Sequence, residues 1–127
     1  MVPKNIDHQV SHTDGTFEAD SIRLENGFFK SVSLFFREGV TGAGPSVIQK
    51  GELQVEVFIT QDKLGAASSS GNTQILISDY LYNMHDPAWQ GDAYCLDGYY
   101  LWITCINTNA VGTFVIGVRG WEFVFKP

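Results

Sequence analysis

Apolar and polar residues alternate along several short stretches of the chain, as they do in β-strands with one buried face. The clearest stretch is 53–59, where Leu53, Val55, Val57 and Ile59 alternate with polar residues. Segments rich in glycine, serine, asparagine and proline separate further candidate strands, which span 17–24, 28–37, 73–82, 94–96, 99–106 and 113–126. No segment shows a sustained helical period. The pattern therefore predicts an all-β chain that forms a single antiparallel β-sandwich or jelly-roll-like domain.

The same alternation predicts which side chains fill the core. The residues expected to be nearly fully buried are Val55, Val57, Ile59, Leu101, Ile103, Phe114 and Ile116. In the last candidate strand the apolar positions change from even to odd numbers across Arg119 and Gly120. One extra residue at this point would keep both apolar sets on one face, so a β-bulge is predicted at Gly120.

Two dipeptides are typical of tight turns. Asn26-Gly27 follows the first candidate strand of the domain, and Asp97-Gly98 separates 94–96 from 99–106. A two-residue Asp-Gly loop favours a type I′ β-hairpin, so the strands on either side of it are expected to pair. That register would pair Cys95 with Tyr100.

The hairpin register bears on the two cysteines, Cys95 and Cys105. Cys105 would lie about five residues beyond the residue that pairs with Cys95, roughly 17 Å away at the usual rise of a strand. A disulfide needs Cα atoms within about 7 Å of each other. Two buried, reduced thiols are therefore predicted.

The first sixteen residues differ from the rest of the chain. Residues 1–16 are polar, with Pro3 and Gly15 among them, and their aliphatic residues are Val2, Ile6 and Val10. We expect an extended N-terminal arm that precedes a β-sandwich domain of residues 17–127. Ordering a residue costs about 1–2 kcal/mol of backbone entropy, which so few aliphatic side chains do not recover locally. The arm is therefore expected to pack on another subunit.

The composition excludes or disfavours several classes of protein. The 127 residues suit one domain, and 44% hydrophobic and 13% aromatic residues exclude general disorder. Eight Lys and Arg against 14 Asp and Glu give a net charge of −6, which disfavours nucleic-acid binding as the main function. The N-terminus has no apolar signal region and no stretch approaches a membrane span, so synthesis in the cytoplasm is expected.

Catalytic motifs do not occur in the sequence, so we expect neither an enzyme nor a cofactor. His8 and His12 have the spacing of a helical metal pair, but their segment is not helical, which favours two solvated side chains. His85 and Asp86 are adjacent on an extended segment and point to opposite sides, which disfavours an acid–base pair.

Three acidic residues are compatible with a calcium site. Asp86, Asp92 and Asp97 lie near a loop and a turn, and calcium sites use several oxygen ligands on such segments. Asp is also common at turns for conformational reasons alone, and this simpler interpretation is preferred. The prediction is that the chain has no metal site.

Aromatic residues are concentrated between positions 89 and 102. Tyr100 and Trp102 share one face of their strand. These side chains are expected to lie in the core, at a protein interface or on a sugar-binding platform. The candidate interface residues, including those of the arm, are Val2, Ile6, Val10, Trp89, Tyr100 and Trp102.

In composition and layout the chain resembles small virion proteins: an acidic β-sandwich with a polar N-terminal segment and long Gly/Ser loops. The resemblance implies a non-enzymatic structural protein, such as a phage capsid decoration or cement protein. It would lie in the virion as a homo-oligomer, contacting other subunits through its arm, its sheet edges and its aromatic residues, without binding nucleic acid or membrane. The alternative is a carbohydrate-binding module or lectin-like domain of a viral fibre or adhesion apparatus, with Trp89, Tyr100 or Trp102 in a glycan platform.

Overall fold

A computed structural model describes residues 2–12, 17–41, 53–61, 74–82, 85–95, 98–107 and 113–125. For 11–12, 17–18, 36–41, 107 and 113–114 this description is confined to the backbone. The strands are β1 (Val2–His12), β2 (Phe17–Arg23), β3 (Gly27–Thr41), β4 (Leu53–Thr60), β5 (Gln74–Tyr80), β6 (Ala88–Cys95), β7 (Tyr100–Asn107) and β8 (Thr113–Val124). Within these ranges no helix has the length and apolar character needed to cross a membrane.

The strands form two four-stranded antiparallel sheets. The first sheet has the order β1-β8-β3-β6 and the second has the order β2-β7-β4-β5. Four antiparallel pairs make up a long ribbon: β1–β8, β2–β7, β3–β6 and β4–β5. This ribbon is folded into two sheets, because β3 also pairs with β8 and β4 also pairs with β7. This arrangement is an eight-stranded jelly roll, and it confirms the predicted fold class.

The core lies between the two sheets and contains the predicted side chains. Val55, Val57 and Ile59 face it from β4, and Leu101 and Ile103 face it from β7. On the opposite side, β3 contributes Phe29 and Leu34, and β8 contributes Ile116 and Val118. Six of the seven predicted core residues are therefore confirmed as buried, while the side chain of Phe114 lies outside the described residues.

The N-terminal segment corrects the prediction of an arm that packs on another subunit. β1 pairs with β8 along its whole length, from Val2 opposite Val124 to His12 opposite Phe114. Ile6 and Val10 are buried in the chain's own core. Backbone hydrogen bonds to β8 supply the stabilisation that local side-chain burial could not, so residues 2–12 are an edge strand of the first sheet.

The Asp97-Gly98 segment does not form the predicted hairpin. β6 belongs to the first sheet and β7 to the second, so the connection between them crosses the sandwich. Gly98 has a φ of 92°, which suits a glycine in a turn. Asn26-Gly27 likewise joins β2 and β3, which lie in different sheets. The dipeptides therefore do not specify which strands pair.

The cysteines lie on different sheets. Cys95 ends β6 and Cys105 lies on β7, and both thiols are buried and outside any disulfide. The prediction of buried, reduced thiols is confirmed, although the hairpin used to derive it does not form. Burial raises the pKa of Cys95 to about 11, so the thiol stays protonated and unreactive near neutral pH.

Candidate functional site

The direction of the β8 side chains determines what the outer face of the first sheet presents. Even-numbered residues, including Gly120 and Glu122, face the core, and Trp121 faces outward. Pairing with β1 continues without interruption through Gly120, so the predicted bulge at this residue is wrong. The irregularity lies instead in β3, where Lys30 is an extra residue between the pairs Phe29–Glu122 and Ser31–Trp121.

Gly120 is required by the close approach of β3. A Cβ atom at Gly120 would lie 2.3 Å from the carbonyl oxygen of Ser31, well inside contact distance. The glycine therefore allows β8 to remain regular where β3 bulges toward it.

Glu122 is the unexpected residue on the inner face of β8, with only 3% of its surface exposed. Lys4 of β1 places its Nζ atom 3.5 Å from Glu122 Oε1 and 3.1 Å from Glu25 Oε2. Burial raises the pKa of Glu122, and nearby Lys4 opposes that shift. The hydrogen bond to Glu25 is the main cause of the raised pKa of Lys4. This cation allows a carboxylate to occupy a core-facing position and so leaves the odd-numbered aromatic residues outside.

Four residues form what we call the aromatic cluster: Phe28, Tyr94, Phe123 and Phe125. The ring of Phe28 packs edge-to-face against Tyr94 at 5.6 Å and against Phe125 at 5.7 Å between centroids. Tyr94 is nevertheless 53% exposed and Phe125 is 42% exposed. The chain thus presents a contiguous aromatic surface, in which ring contacts link Phe28 to Tyr94 and Phe125, and Phe123 lies opposite Phe28 on the neighbouring strand.

An ion pair borders the aromatic cluster. Lys30 pairs with Asp92, and its ammonium lies 5.5 Å from the centroid of the Phe123 ring. One positive and one negative group therefore lie beside the aromatic surface. Their charges balance locally in a chain whose net charge is −6.

Trp121, which is 48% exposed, separates two surface grooves on the same face. The first, which we call the polar groove, has a volume of about 860 Å³. Its polar side chains are Asn5, Asp7, Ser31, Ser33, Gln90 and Arg119. The second, of about 720 Å³, is lined by Pro3, Lys30, Ser31, Gln90, Gly91, Asp92, Trp121 and Phe123.

The strand registers place the groove residues in rows across the sheet. Asn5 and Ser31 lie on either side of Trp121, and Gln90 is opposite Ser31. In the next row, Asp7 and Ser33 lie on either side of Arg119. All four strands of the first sheet therefore contribute a polar side chain to the surface around Trp121.

Arg119 is held by an aromatic ring. Its guanidinium carbon lies 4.6 Å from the centroid of Phe35. A Cβ atom at Gly117 would lie 2.3 Å from that ring, so Phe35 packs flat over the glycine backbone. This stacking fixes a cation at the far end of the polar groove from the aromatic cluster.

The structure places the sequence-predicted interface residues in different environments. Ile6, Val10 and Trp102 are buried within the chain, so they have little surface to offer a partner, and their prediction as interface residues is corrected. Ile6 and Val10 belong to the core between the sheets. Val2 is exposed on the edge strand, and Tyr100 is half-buried. Trp89 is half-buried and stacks on Phe29 at 6.0 Å. An interface role for these last three residues stays a prediction.

Sequence reasoning missed Trp121 and Phe123, because the expected bulge placed them in the core. The signal that could have identified them is the position of Glu122 between them. An uninterrupted alternation puts Glu122 on one face and both rings on the other. A carboxylate can face the inside of a sandwich only when a partner compensates its charge. That partner is Lys4, which is too remote in sequence for the local pattern to indicate it.

The two histidines whose side chains are described, His8 and His85, each pair with an aspartate. His8 Nε2 lies 2.7 Å from Asp20 Oδ2, which links β1 to β2 at the side of the sandwich. His85 Nε2 lies 2.8 Å from Asp79 Oδ2, whereas the adjacent Asp86 is exposed. The side chain of His12 lies outside the described residues.

The calcium alternative rested on Asp86, Asp92 and Asp97. Asp92 pairs with Lys30, and Asp97 lies outside the described residues. Among the residues that can be described, no three His, Cys, Asp or Glu side chains come close enough to hold a metal ion.

No protein-family model matches the chain, and no curated protein matches it. Among solved structures it is similar to a chain in "Structure of infectious bursal disease virus Gx strain", with 12% sequence identity and a TM-score of 0.49. The match covers 95% of this chain but spans only 31% of that chain. A likeness at this level assigns no function.

Proposed function

We propose that this chain is a non-enzymatic structural protein that self-associates through the aromatic cluster and takes part in a larger assembly, a virion. The observation that carries the proposal is the exposed, contiguous aromatic surface formed by Phe28, Tyr94, Phe123 and Phe125. Aromatic residues are enriched in the buried centres of protein interfaces and contribute much of their binding energy.

Charge supports a second copy of this chain as the occupant of that surface. Two chains with a net charge of −6 repel one another through most surfaces. The aromatic cluster is instead bordered by the paired charges of Lys30 and Asp92. A patch with one group of each sign is self-complementary across a two-fold axis, as a symmetric dimer interface requires.

The virion setting, including a capsid decoration or cement role, is the finer part of the proposal. It derives from the acidic, single-domain composition and from the long Gly/Ser segments of the sequence. The jelly roll is compatible with it but also serves lectins and other proteins, so the fold does not specify the role.

The oligomeric state tests the self-association. Native mass spectrometry and sedimentation over a concentration series should show a dimer or higher oligomer for the wild-type chain. The double variant Tyr94→Ala with Phe125→Ala should shift the population to monomer, because it removes the two most exposed rings of the cluster. Circular dichroism should show that both proteins are folded.

A matched control uses an exposed apolar residue of the second sheet. Ile106 is 42% exposed, and its replacement by Ala should leave the oligomeric state unchanged. A wild-type chain that is monomeric at every concentration, or a double variant that associates as the wild type does, would overturn the proposal. Detection of the chain in virus particles purified from the source material tests the virion setting separately.

A further inference from the structure

We propose that the grooves on either side of Trp121 form a binding site for a neutral oligosaccharide. This inference goes beyond self-association and centres on Trp121, which is not part of the aromatic cluster. The second groove shares Phe123, Lys30 and Asp92 with the proposed self-association surface, whereas Phe28, Tyr94 and Phe125 line neither groove. The polar groove shares no residue with that surface and extends from Trp121 away from the aromatic cluster.

The indole of Trp121 provides the apolar surface that such a ligand needs. It is half-exposed at the centre of a sheet face, and both grooves use it as a wall. Sugar rings present C–H groups on their faces, and these pack against an aromatic π-face while hydroxyl groups point to the sides. Trp is the largest such surface, and it combines an apolar body with a polar N–H.

Polar side chains lie where those hydroxyl groups would point. Asn5 and Ser31 are opposite Trp121 on the neighbouring strands, and Gln90 follows in the same row. The amides of Asn5 and Gln90 each offer both a donor and an acceptor, and Ser31 offers a hydroxyl. A sugar hydroxyl also donates and accepts, so it matches these groups better than an apolar peptide side chain does.

The charges around the grooves favour a neutral ligand over a polyanion. In the polar groove Arg119 lies opposite Asp7, and in the second groove Lys30 pairs with Asp92. Neither groove concentrates positive charge, and the chain as a whole is acidic. Nucleic acids and sulfated polysaccharides require the opposite arrangement.

The dimensions favour an oligosaccharide over a single sugar. The polar row runs across four strands, a width of about 14 Å at the usual spacing between strands. The two grooves meet at Trp121, which would stack one ring while neighbouring rings occupy the groove on each side. An extended surface of this kind gains its affinity from several weak contacts.

Binding of defined hexasaccharides tests the proposal. Isothermal titration calorimetry and tryptophan fluorescence would use cellohexaose, maltohexaose, chitohexaose and mannohexaose as neutral probes and a heparin hexasaccharide as the acidic probe. We expect saturable binding of at least one neutral probe and weaker binding of the acidic one. Trp121→Ala should lower the affinity by at least about tenfold, Trp121→Phe by less, and Gln90→Ala by a few-fold.

The variant Tyr94→Ala is the matched control, because it removes an exposed aromatic residue of the same face that lines neither groove. Its affinity for the neutral probe should stay within about twofold of wild type. The proposal is overturned if none of the four neutral probes binds, if only the acidic probe binds, or if binding survives Trp121→Ala.

The two proposals fail separately. If the Tyr94 and Phe125 double variant no longer self-associates but still binds the glycan, both proposals are supported. A wild-type chain that is always monomeric but binds a neutral hexasaccharide through Trp121 removes the self-association proposal and leaves this inference standing.

Discussion

The outer faces of the two sheets both carry large aromatic residues, but these residues differ in how much of their surface is exposed. On the first sheet Trp121 is about half exposed. On the second sheet Phe58 and Trp102 occupy outward positions and lie opposite one another on β4 and β7. Phe58 is nonetheless 0% exposed and Trp102 is 7% exposed.

The difference separates aromatic residues that stabilise the chain from aromatic residues that are available to a partner. Burial of Phe58 removes its whole side chain from water, which contributes to the free energy of folding. The exposed rings of Trp121 and Tyr94 leave that gain unrealised until another molecule covers them. Outward position on a strand therefore does not identify a binding face, whereas outward position combined with exposure does.

The largest expected effect comes from the second sheet. Phe58→Ala should lower the free energy of unfolding by about 3–5 kcal/mol, because it leaves a cavity at a fully buried site. Urea denaturation followed by circular dichroism measures this change. A loss below about 1 kcal/mol would show that Phe58 is not part of the packed structure, and the contrast between the two faces would disappear.

A smaller loss is expected at Gly120, the residue that lets β8 stay regular beside the β3 bulge. Gly120→Ala should cost about 1–3 kcal/mol, because the added Cβ would meet the Ser31 carbonyl oxygen at 2.3 Å. Thermal and urea unfolding would measure it. If the variant is as stable as the wild type, β8 and β3 are not held in the register that directs Trp121 outward.

The pH dependence of folding stability tests the role of Glu122, whose inward position leaves Trp121 on the outer face. Its folded pKa is raised above the ordinary value of 4.5, so the folded state holds the proton more tightly than the unfolded state does. The associated stability is present below pH 4.5 and is lost as the pH rises through the folded pKa. Glu122→Gln should therefore gain stability relative to wild type as the pH rises from 4.5 to 7.

Paired melting curves of wild type and Glu122→Gln at several pH values measure that trend. Lys4 keeps Glu25 as a partner in the variant, so its ammonium is not left unpaired. A difference in melting temperature that does not change with pH, or that moves in favour of the wild type, would contradict the assignment of Glu122 as a carboxylate destabilised by burial.

The smallest expected effects are on the first sheet. Trp121→Ala and Tyr94→Ala should each change the free energy of unfolding by less than about 1 kcal/mol, because both side chains are about half exposed. The same urea titration used for Phe58 measures them. Losses as large as that of Phe58→Ala would mean that these rings stabilise the folded chain, and the proposed division between the faces would fail.

The sequence by itself determined most of the strands and much of the core, but β1 and most of β6 lie outside the candidate strands. Burial of Val55, Val57, Leu101 and Ile103 follows directly from alternation, because side chains of a strand point to opposite faces whichever strand lies beside it. The fold class follows from the number of such strands and the absence of a helical period. The buried thiols of Cys95 and Cys105 were predicted correctly, although the pairing used to derive them was wrong.

Only the tertiary structure decided which strands pair and which face of β8 is buried. The Asp97-Gly98 dipeptide is a local signal in the sequence, whereas the partner of β7 is determined by packing of the whole ribbon, and β6 and β7 lie in different sheets. The N-terminal segment is polar, and its place in the first sheet depends on the open edge of β8. Glu122 faces the core because Lys4, remote in sequence, supplies a compensating charge there, and this exposes Trp121 on the outer face.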